Sequence, residues 1–418
     1  MDTRQQKTMG SILALMIILT IIFFVSVSAE AAPIPTSTAP PQILKVGNML
    51  TLNRPHGVEP KKMFDIIFPA FNDEGGVAVK GQRYHINLIT YDDKATAEAG
   101  RAAAERMIFQ DKVKFIIGGT WGAAISASLP ITEPEKIPFF AGSSSDKLVD
   151  PAFKYVAGSS WARTGTAVNQ GNLFKTNPKL KTLVGVGLDT QTGHDQAQME
   201  DKVDKAYGVN VLSRLFVPDG ATEFAPVATK IMSLKPDVVT FAATGGTQLG
   251  LFLKELHRAG YKGYRYIGTT INFSEVLGIA GKEPMEGVIA NYSDTTEVKP
   301  PSPIALKVRK AYEAKYGEWN NMGLLWVNCL YLLKAAVEKA NSLDPDAVME
   351  ALEGLEFDGT LGRCKMVKRP DLGQNKAREM VATTQLYQIK DGKPVPGDII
   401  PIKDAIEALE KIFGGKWD

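Results

Sequence analysis

The sequence predicts an α/β protein with two doubly wound parallel-sheet lobes, which are joined by a hinge of several chain crossings and have a ligand cleft between them. Three observations support this prediction. Short apolar runs typical of buried strands alternate with amphipathic helical stretches in two successive series. Loops rich in glycine, serine and threonine follow the apolar runs in both series. The length of 418 residues is sufficient for two domains with substantial cores.

The N-terminus is predicted to be a targeting segment, with residues 1–31 as a signal peptide. Basic residues precede an apolar run at residues 12–27, and residues 29–31 supply the small side chains of a cleavage site. An uncleaved membrane anchor is the alternative, because the run is long for a signal peptide. We expect cleavage and a periplasmic protein, since no second hydrophobic span follows. Residues 32–42 form a proline- and threonine-rich linker.

The first series of elements follows the linker and has the order β-α-β-α-β. Apolar runs predict the strands, and apolar residues spaced along one face predict the helices. This order indicates a doubly wound parallel sheet. The predicted strands are Ile43–Asn48, Tyr84–Tyr91 and Val113–Ile117, and the predicted helices are Glu59–Asn72 and Ala95–Phe109.

The stretch from Phe115 to Asp146 organises the first lobe. It contains a strand at Phe115–Ile117, a helix from about Gly122 to Glu133 and a second strand at Ile137–Phe140. A right-handed crossover makes the two strands parallel neighbours, so the loops that follow them emerge at the same edge of the sheet.

These two loops are the leading candidates for ligand binding. The first carries Thr120, Trp121 and Gly122 and opens a helix whose free N–H groups and dipole favour an anion. Trp121 is either a ligand-stacking wall or a packing residue between the lobes. The second loop brings three hydroxyl groups, which could instead form a turn that caps a helix. These hydroxyls belong to Ser143, Ser144 and Ser145.

A second series of elements starts after Trp161 and predicts a second parallel sheet. The loops that follow its third and fourth strands contain Thr244, Gly245 and Thr270. The predicted strands are Leu183–Leu188, Val209–Leu215, Asp237–Ala243 and Tyr264–Gly268, and the predicted helices are Asp195–Tyr207, Glu223–Leu234 and Leu249–Ala259.

The C-terminal third is less regular, and we expect it to cross back between the lobes. The first lobe is predicted to comprise residues 43–161 with about 294–355, and the second residues 162–293 with about 356–418. The predicted elements are helices at Pro303–Tyr316, Leu324–Ala340 and Asp344–Leu355, and a strand at Val381–Ile389.

Composition and spacing argue against several classes of function. The net charge is +2 and the charges are interspersed, so no nucleic-acid footprint is visible. The strand-end loops lack a paired acid and base, so we expect no enzymatic activity. The glycine pairs at 118–119 and 245–246 do not form a dinucleotide-binding pattern, so we expect no cofactor. We expect no metal because the histidines lack metal-ligand spacing; they are His56, His85, His194 and His257.

The two cysteines leave two alternatives open. Cys329 lies in a predicted helix and Cys364 in the segment LGRCKMVKRPD. An exported protein permits a disulfide between them. The alternative is one core thiol and one independent surface or hinge thiol, since the sequence does not show whether their Cα atoms come within bonding distance.

Four stretches, taken in their order and spacing, resemble a known family. They are ILKVGNM, FNDEGGVAVKGQRYHINLITYDDKATAEAGRAAAERMI, IIGGTWGAAISASLPITEPEKIPFFAGSSS and PDVVTFAATGGTQLGLFLKELHRAGYKG. The chain resembles the type I periplasmic binding proteins, specifically the leucine/isoleucine/valine-binding family of ABC-importer substrate-binding proteins, over about residues 43–398. The resemblance implies two lobes that close over one small ligand, three hinge crossings and a permease partner in the inner membrane. We expect a monomer.

The resemblance also implies roles for individual residues. The family holds the ligand carboxylate and amine at positions that here are residues 121–123 and 143–145, with Ser145 as a hydroxyl contact and Ser143 acting through its backbone. His56 stands where relatives often have an aromatic residue before glycine. Arg54 is either a fork for a carboxylate or a solvated loop charge.

The second lobe departs from the pattern of amino-acid binders. Relatives often place a tyrosine near Thr192 and an acid near Thr270, whereas both residues here are neutral. Because a buried ammonium without a partner is costly, we expect an organic acid or amide, with Trp121 or His56 lining its apolar part. A ligand sensor for a membrane partner, or an enzyme on the same scaffold, is the alternative function.

Overall fold

A computed structural model describes residues 40–142, 146–160, 163–242, 246–291, 294–298 and 300–418. Residues Pro41–Asp418 form one compact unit. Within the described ranges no helix has the length and apolar character needed to cross a membrane. The predicted signal peptide and nearly all of the predicted linker lie outside these ranges.

The first lobe is built on a sheet of six strands among the described residues. They are β1 (Gln42–Leu50), β2 (Val77–Val79), β3 (Gln82–Asp92), β4 (Phe115–Gly118), β5 (Phe139–Ala141) and β6 (Val156–Gly158). Their order is β2-β3-β1-β4-β5-β6, and all neighbours are parallel except β2 and β3. The parallel order confirms the doubly wound sheet predicted from the sequence.

Helices cover both faces of this sheet, because successive side chains of its buried strands point to opposite sides. Leu44 and Val46 of β1 pack against one helix layer, while Met49 packs against the other. The first layer contains α1 (Pro55–Asp73), α10 (Pro303–Tyr316), α11 (Leu324–Ala340) and the short α12 (Pro345–Glu350). The second layer contains α2 (Ala97–Glu105), a π-helical turn at Arg106–Gln110 and α3 (Gly122–Thr132).

The second lobe is built on a seven-stranded sheet of described residues. Its strands are β7 (Thr182–Leu188), β8 (Asn210–Val217), β9 (Val238–Ala242), β10 (Tyr264–Ile267), β11 (Ile289–Asn291), β15 (Leu386–Lys390) and β16 (Lys393–Pro396). The order is β16-β15-β11-β10-β9-β7-β8, with β15 and β16 antiparallel to their neighbours.

Two helix layers again enclose the sheet. Thr190 caps one of these helices by accepting a hydrogen bond from Gly193 N, and Gly208 ends it in the left-handed region. One layer contains α6 (Ala225–Leu234), α7 (Gly246–Arg258), α8 (Phe273–Ala280) and α9 (Lys282–Met285). The other contains α4 (Thr164–Thr176), α5 (Gln191–Tyr207) and α13 (Ile402–Phe413).

The segment after residue 355 differs from the lobe division expected from the sequence. Residues 356–418 were expected in the second lobe, but the first part forms a separate antiparallel sheet of β12 (Glu356–Gly359), β13 (Gly362–Arg369) and β14 (Gln374–Ala382). Phe357, Cys364 and Met380 of this sheet pack into the core of the first lobe. The reason is that their alternating apolar side chains cover α11, whose Asn328 contacts Met380 Sδ at 3.2 Å.

The described chain passes between the lobes three times, after Gly158, after Asn291 and after Ala382. The last passage corrects the single strand predicted at Val381–Ile389. Strands β14 and β15 are separate there, because Thr384 pairs with Ile400 while the chain moves from the first lobe to the second sheet.

The two cysteines do not form a disulfide in this structure. Cys329 and Cys364 are both buried and both free. Neither is a surface thiol, and burial raises the pKa of each thiol to about 12. Cys329 lies on α11 and Cys364 on β13, so both belong to the core of the first lobe.

Candidate functional site

A cavity of about 650 Å³ lies between the two lobes, at the carboxyl ends of their parallel strands. Loops of both sheets and the start of α11 contribute to its wall. The cavity therefore occupies the position where ligands bind in open parallel sheets.

The structure brings most of the sequence-predicted site residues together at this cavity. Ser143, Ser144, Ser145, Thr244 and Gly245 lie outside the described residues, although their neighbours Gly142 and Gly246 contribute to the wall. The predicted residues that line the cavity are Arg54, His56, Thr120, Trp121, Gly122, Thr192 and Thr270.

The turn that carries Thr120 and Trp121 into the cavity depends on glycine. Gly118 and Gly119 have φ angles of 91° and 68°, a region that other residues rarely adopt. A Cβ atom at Gly118 would also lie 2.6 Å from Asn48 Oδ1 and from Met49 O. The chain can therefore turn sharply from β4 into α3 and present the first N–H groups of α3 to the cavity.

Three aromatic rings form one wall of the cavity. The rings of His56 and Trp121 are stacked at 5.7 Å with an interplanar angle of 10°, and Trp326 lies 5.9 Å from His56. Trp326 Nε1 donates a hydrogen bond to Gly142 O at 2.8 Å, so its indole N–H is already satisfied. Sequence reasoning missed Trp326, because its position in the first turn of a long apolar helix gave no signal of exposure to a cleft.

His56 is held in the neutral form. Burial among the rings, together with the nearby Arg54 guanidinium, lowers the pKa of His56 from 6.5 to about 4. Its Nε2 atom is buried and has no hydrogen-bond partner among the described residues. At neutral pH the three rings of this wall are therefore uncharged.

Arg54 has partners on both sides. Its guanidinium lies 4.9 Å over the ring of Trp121, and Nη2 lies 3.6 Å from Asp219 Oδ2 of the second lobe. The two alternatives for this residue, a carboxylate fork and a solvated loop charge, both remain predictions, because its side chain is 39% exposed.

The cavity wall formed by the second lobe differs from the sequence-based expectation about its charge. The sequence predicted a neutral surface, but Asp219 and Glu275 also line the cavity. Glu275 lies against the N-terminus of α7, where a Cβ atom on Gly246 would come within 2.6 Å of its carboxylate, and it accepts a hydrogen bond from Thr247 Oγ1 at 2.9 Å. The prediction failed because Glu275 follows Thr270 by more than one helical turn, and only the fold brings it to the cavity.

The hinge supplies a cation at the floor of the cavity. Arg163 precedes α4, is 7% exposed, and donates a hydrogen bond to Asp146 Oδ2 at 2.7 Å. The other oxygen of Asp146 accepts from Arg369 Nη2 at 3.2 Å, and Arg369 is itself paired with Asp371 and Glu379. Sequence reasoning missed Arg163, because nothing in its local sequence distinguishes it from a surface arginine.

The arrangement can hold a small solute with a polar end and an apolar body. Helix N-termini and a buried arginine suit an oxygen-bearing group, and the three rings suit apolar surface. Among the described residues, no group of three or more histidine, cysteine, aspartate and glutamate side chains could hold a metal ion.

Comparison with known proteins agrees with this geometry. Residues 61–393 match the family model described as periplasmic binding protein. The chain is 24% identical over 289 residues to the leucine-, isoleucine-, valine-, threonine- and alanine-binding protein of Pseudomonas aeruginosa, which covers 68% of this chain and 75% of that protein.

Two solved structures share the fold. A leucine-binding protein LivK from Thermotoga maritima has a TM-score of 0.70 at 20% identity, covering 86% of this chain and 99% of that one. An ABC-transporter solute-binding protein from Rhodopseudomonas palustris, in complex with 3,4-dihydroxybenzoic acid, has a TM-score of 0.67 at 20% identity, covering 86% and 98%. Since the family model spans residues 61–393 of the 418, this chain belongs to the periplasmic binding proteins, with the two-lobe type I fold.

Proposed function

We propose that this protein is the substrate-binding component of an ABC importer and captures a small solute by closing its two lobes in the periplasm. The observation that carries the proposal is the shared cavity, whose wall comes from strand-end loops of both lobes and from the hinge. A ligand that contacts both lobes stabilises the closed arrangement relative to the open one. The partner is a permease of the inner membrane, the binding state is a monomer, and no reaction is assigned to the cavity.

The ligand class follows from the two kinds of wall. The N-terminus of α3 and Arg163 suit a carboxylate or amide oxygen, and the rings of His56, Trp121 and Trp326 suit an apolar body. By their names and complexes, the relatives bind either leucine, isoleucine, valine, threonine and alanine or an aromatic acid. Both kinds of ligand combine a carboxylate with an apolar body, which supports the same class for this chain.

The described carboxylates change the expectation about an ammonium group. A neutral second-lobe wall would disfavour an α-amino acid, whereas Asp219 and Glu275 provide negative charge there. Asp219 is paired with Arg54 in this structure, and Glu275 accepts a hydrogen bond from Thr247. The proposed class therefore includes α-amino acids beside organic acids and amides.

A thermal-shift screen followed by small-angle scattering tests the proposal. The screen compares amino acids, aliphatic acids, aromatic acids and amides, because a bound ligand raises the unfolding temperature by mass action. We expect at least one carboxylate or amide with an apolar body to raise it and to give a more compact scattering profile. An unchanged profile at saturating ligand would contradict lobe closure.

Export is tested separately. We propose cleavage of residues 1–31, so the mature protein should appear in a periplasmic extract with a new N-terminus near Ala32. Recovery only in membranes at full length would contradict it and support the uncleaved anchor.

A further inference from the structure

A line of three side chains runs from the core of the first lobe to the cavity. Asp93 and Thr51 are fully buried, and Thr120 is 9% exposed and lines the cavity. Thr51 Oγ1 lies 2.7 Å from Asp93 Oδ1, and Thr120 Oγ1 lies 2.9 Å from Thr51 Oγ1. The line connects β1, the end of β3 and the β4–α3 turn, which the sheet places side by side.

The hydrogen-bond donors and acceptors of these three side chains determine which way each hydroxyl proton points. Asp93 Oδ1 accepts from Ala95 N at 2.9 Å and from Thr51 Oγ1 at 2.7 Å, so the single hydroxyl proton of Thr51 points to Asp93. Burial raises the pKa of Asp93, while hydrogen bonds from Thr51 and from Ala95 N oppose that shift. Since the Thr51 proton is committed, Thr120 must donate its own proton to Thr51 Oγ1.

Thr120 is thereby left with acceptor capacity only. Its oxygen has two lone pairs, and one accepts from Thr51 N at 3.3 Å. The other has no partner among the described residues. An ordinary threonine could rotate its hydroxyl to donate to a ligand, but this one cannot do so without breaking the line to Asp93.

We infer that Asp93, acting through Thr51, fixes Thr120 as a hydrogen-bond acceptor toward the cleft and thereby selects a ligand that carries an N–H or O–H donor beside its carboxylate or amide oxygen. This inference rests on the proposed function. Thr120 is the residue that contacts the ligand, and Asp93 and Thr51 are positioning residues.

The spacing of the turn limits where the donor lies. Thr120 and Gly122, the first residue of α3, are two positions apart, which is at most about 7 Å along the chain. A ligand oxygen at the N-terminus of α3 and a donor at Thr120 therefore lie within a few bonds of each other in the ligand. Primary amides, 2-hydroxy acids and 2-amino acids meet this condition, whereas a bare carboxylate does not.

Calorimetry with matched ligands tests the inference. One series is leucine, 2-hydroxy-4-methylpentanoate, 4-methylpentanamide and 4-methylpentanoate, and the other contains the corresponding 3-phenylpropanoic compounds. The donor-bearing members should bind more tightly than the bare acid, by roughly threefold to tenfold for a neutral donor and up to roughly a hundredfold for an ammonium. Comparison of the amino, hydroxy and amide members then distinguishes the source of the donor.

Variants distinguish an effect of the hydrogen bonds along this line from a general disturbance of the structure. Thr120→Val should abolish the preference, and Thr120→Ser should keep it. In Thr51→Val, Thr120 loses the acceptor for its proton and can donate to the ligand, so the bare acid should bind more tightly than it does to the wild type. Thr51→Ser should restore the preference. Thr132→Val is the matched control, since Thr132 is also buried and, among the described residues, donates only to Leu129 O on α3.

Different experimental results would overturn the inference and the proposed function. Equal affinities within a series, or an unchanged preference in both valine variants, would overturn the inference while leaving a solute-binding protein. Lack of binding by every member of both series would overturn the proposed ligand class and the inference with it. If Thr51→Val does not fold, Thr120→Val still decides, because its side chain lies at the cavity surface.

Discussion

Arg54 and Asp219 face each other across the cleft, with Arg54 Nη2 3.6 Å from Asp219 Oδ2. The pair joins the loop after β1 in the first lobe to the loop after β8 in the second. Both side chains are about two-fifths exposed, at 39% and 45%. The contact therefore links the two lobes in the arrangement seen here, but solvent and salt weaken it.

Asp219→Asn should shift the lobes toward the open arrangement by a small amount. Exposed ion pairs contribute about 1 kcal/mol or less, so the affinity for a ligand without an ammonium group should fall by no more than about fivefold. Calorimetry at low and high salt measures the ligand affinity of both proteins. The higher affinity of the wild type should disappear at high salt. Asp65→Asn is the control, because Asp65 is 43% exposed and its partner Lys61 lies on the same helix. Equal salt dependence in Asp219→Asn and the wild type would contradict the prediction.

His56 should make the protein less stable in acid. Its pKa is 6.5 ordinarily and about 4 in the folded protein. Between these values the unfolded chain binds a proton that the folded one does not, so the free energy of unfolding falls as the pH drops from about 6.5 to about 4. Urea unfolding at several pH values should show a smaller decrease for His56→Gln, with His257→Gln on α7 as the control. Parallel pH profiles for His56→Gln and the wild type would refute this prediction.

Asp204 should make the protein less stable as the pH rises, which is the opposite of the pH dependence expected from His56. Its carboxyl shares Arg214 with the buried Glu200 and the exposed Asp201. Burial raises the pKa of Asp204 from 3.8 to about 7, against the attraction of Arg214. The folded state therefore binds more protons than the unfolded chain over this interval, and the free energy of unfolding contributed by Asp204 falls as the pH rises through it.

The measurement for Asp204 is urea unfolding between pH 5 and pH 8. Asp204→Asn should flatten the decrease in stability over this range relative to the wild type. Asp201→Asn removes a carboxylate of the same cluster that is 52% exposed, and it should leave the slope nearly unchanged. A difference between Asp204→Asn and the wild type that does not vary with pH would exclude the shifted carboxyl as its cause.

Gly118→Ala should destabilise the turn that leads into the cavity. A non-glycine residue at a φ of 91° costs about 1–3 kcal/mol, and its Cβ would meet Met49 O at 2.6 Å, which is backbone and cannot rotate away. Gly278→Ala is the matched control, because Gly278 lies inside α8 with open space around it. That change should stabilise the helix by about 0.5–1 kcal/mol. Thermal unfolding of the two variants compares them, and equal melting temperatures would contradict the prediction.

The sequence by itself determined the two lobes and part of the cavity wall. Strands such as Ile43–Asn48 and helices such as Leu324–Ala340 follow from local apolar patterns, and the structure confirms both within a few residues. The positions of Thr120, Thr192 and Thr270 were also predictable, because parallel strands present the loops that follow them at one edge. Local patterning and a fixed handedness were sufficient for these features.

Only the tertiary structure decided which distant residues meet at the site. Trp326 contacts His56 from a helix that follows it by more than 250 positions. Asp93 is connected to Thr120 through Thr51 only because β1 pairs with both β3 and β4. The alternation across residues 381–389 is continuous in sequence, yet the chain changes sheets there. Such contacts depend on strand order and on side-chain packing between separate elements, and a local pattern of apolar residues carries no information about either.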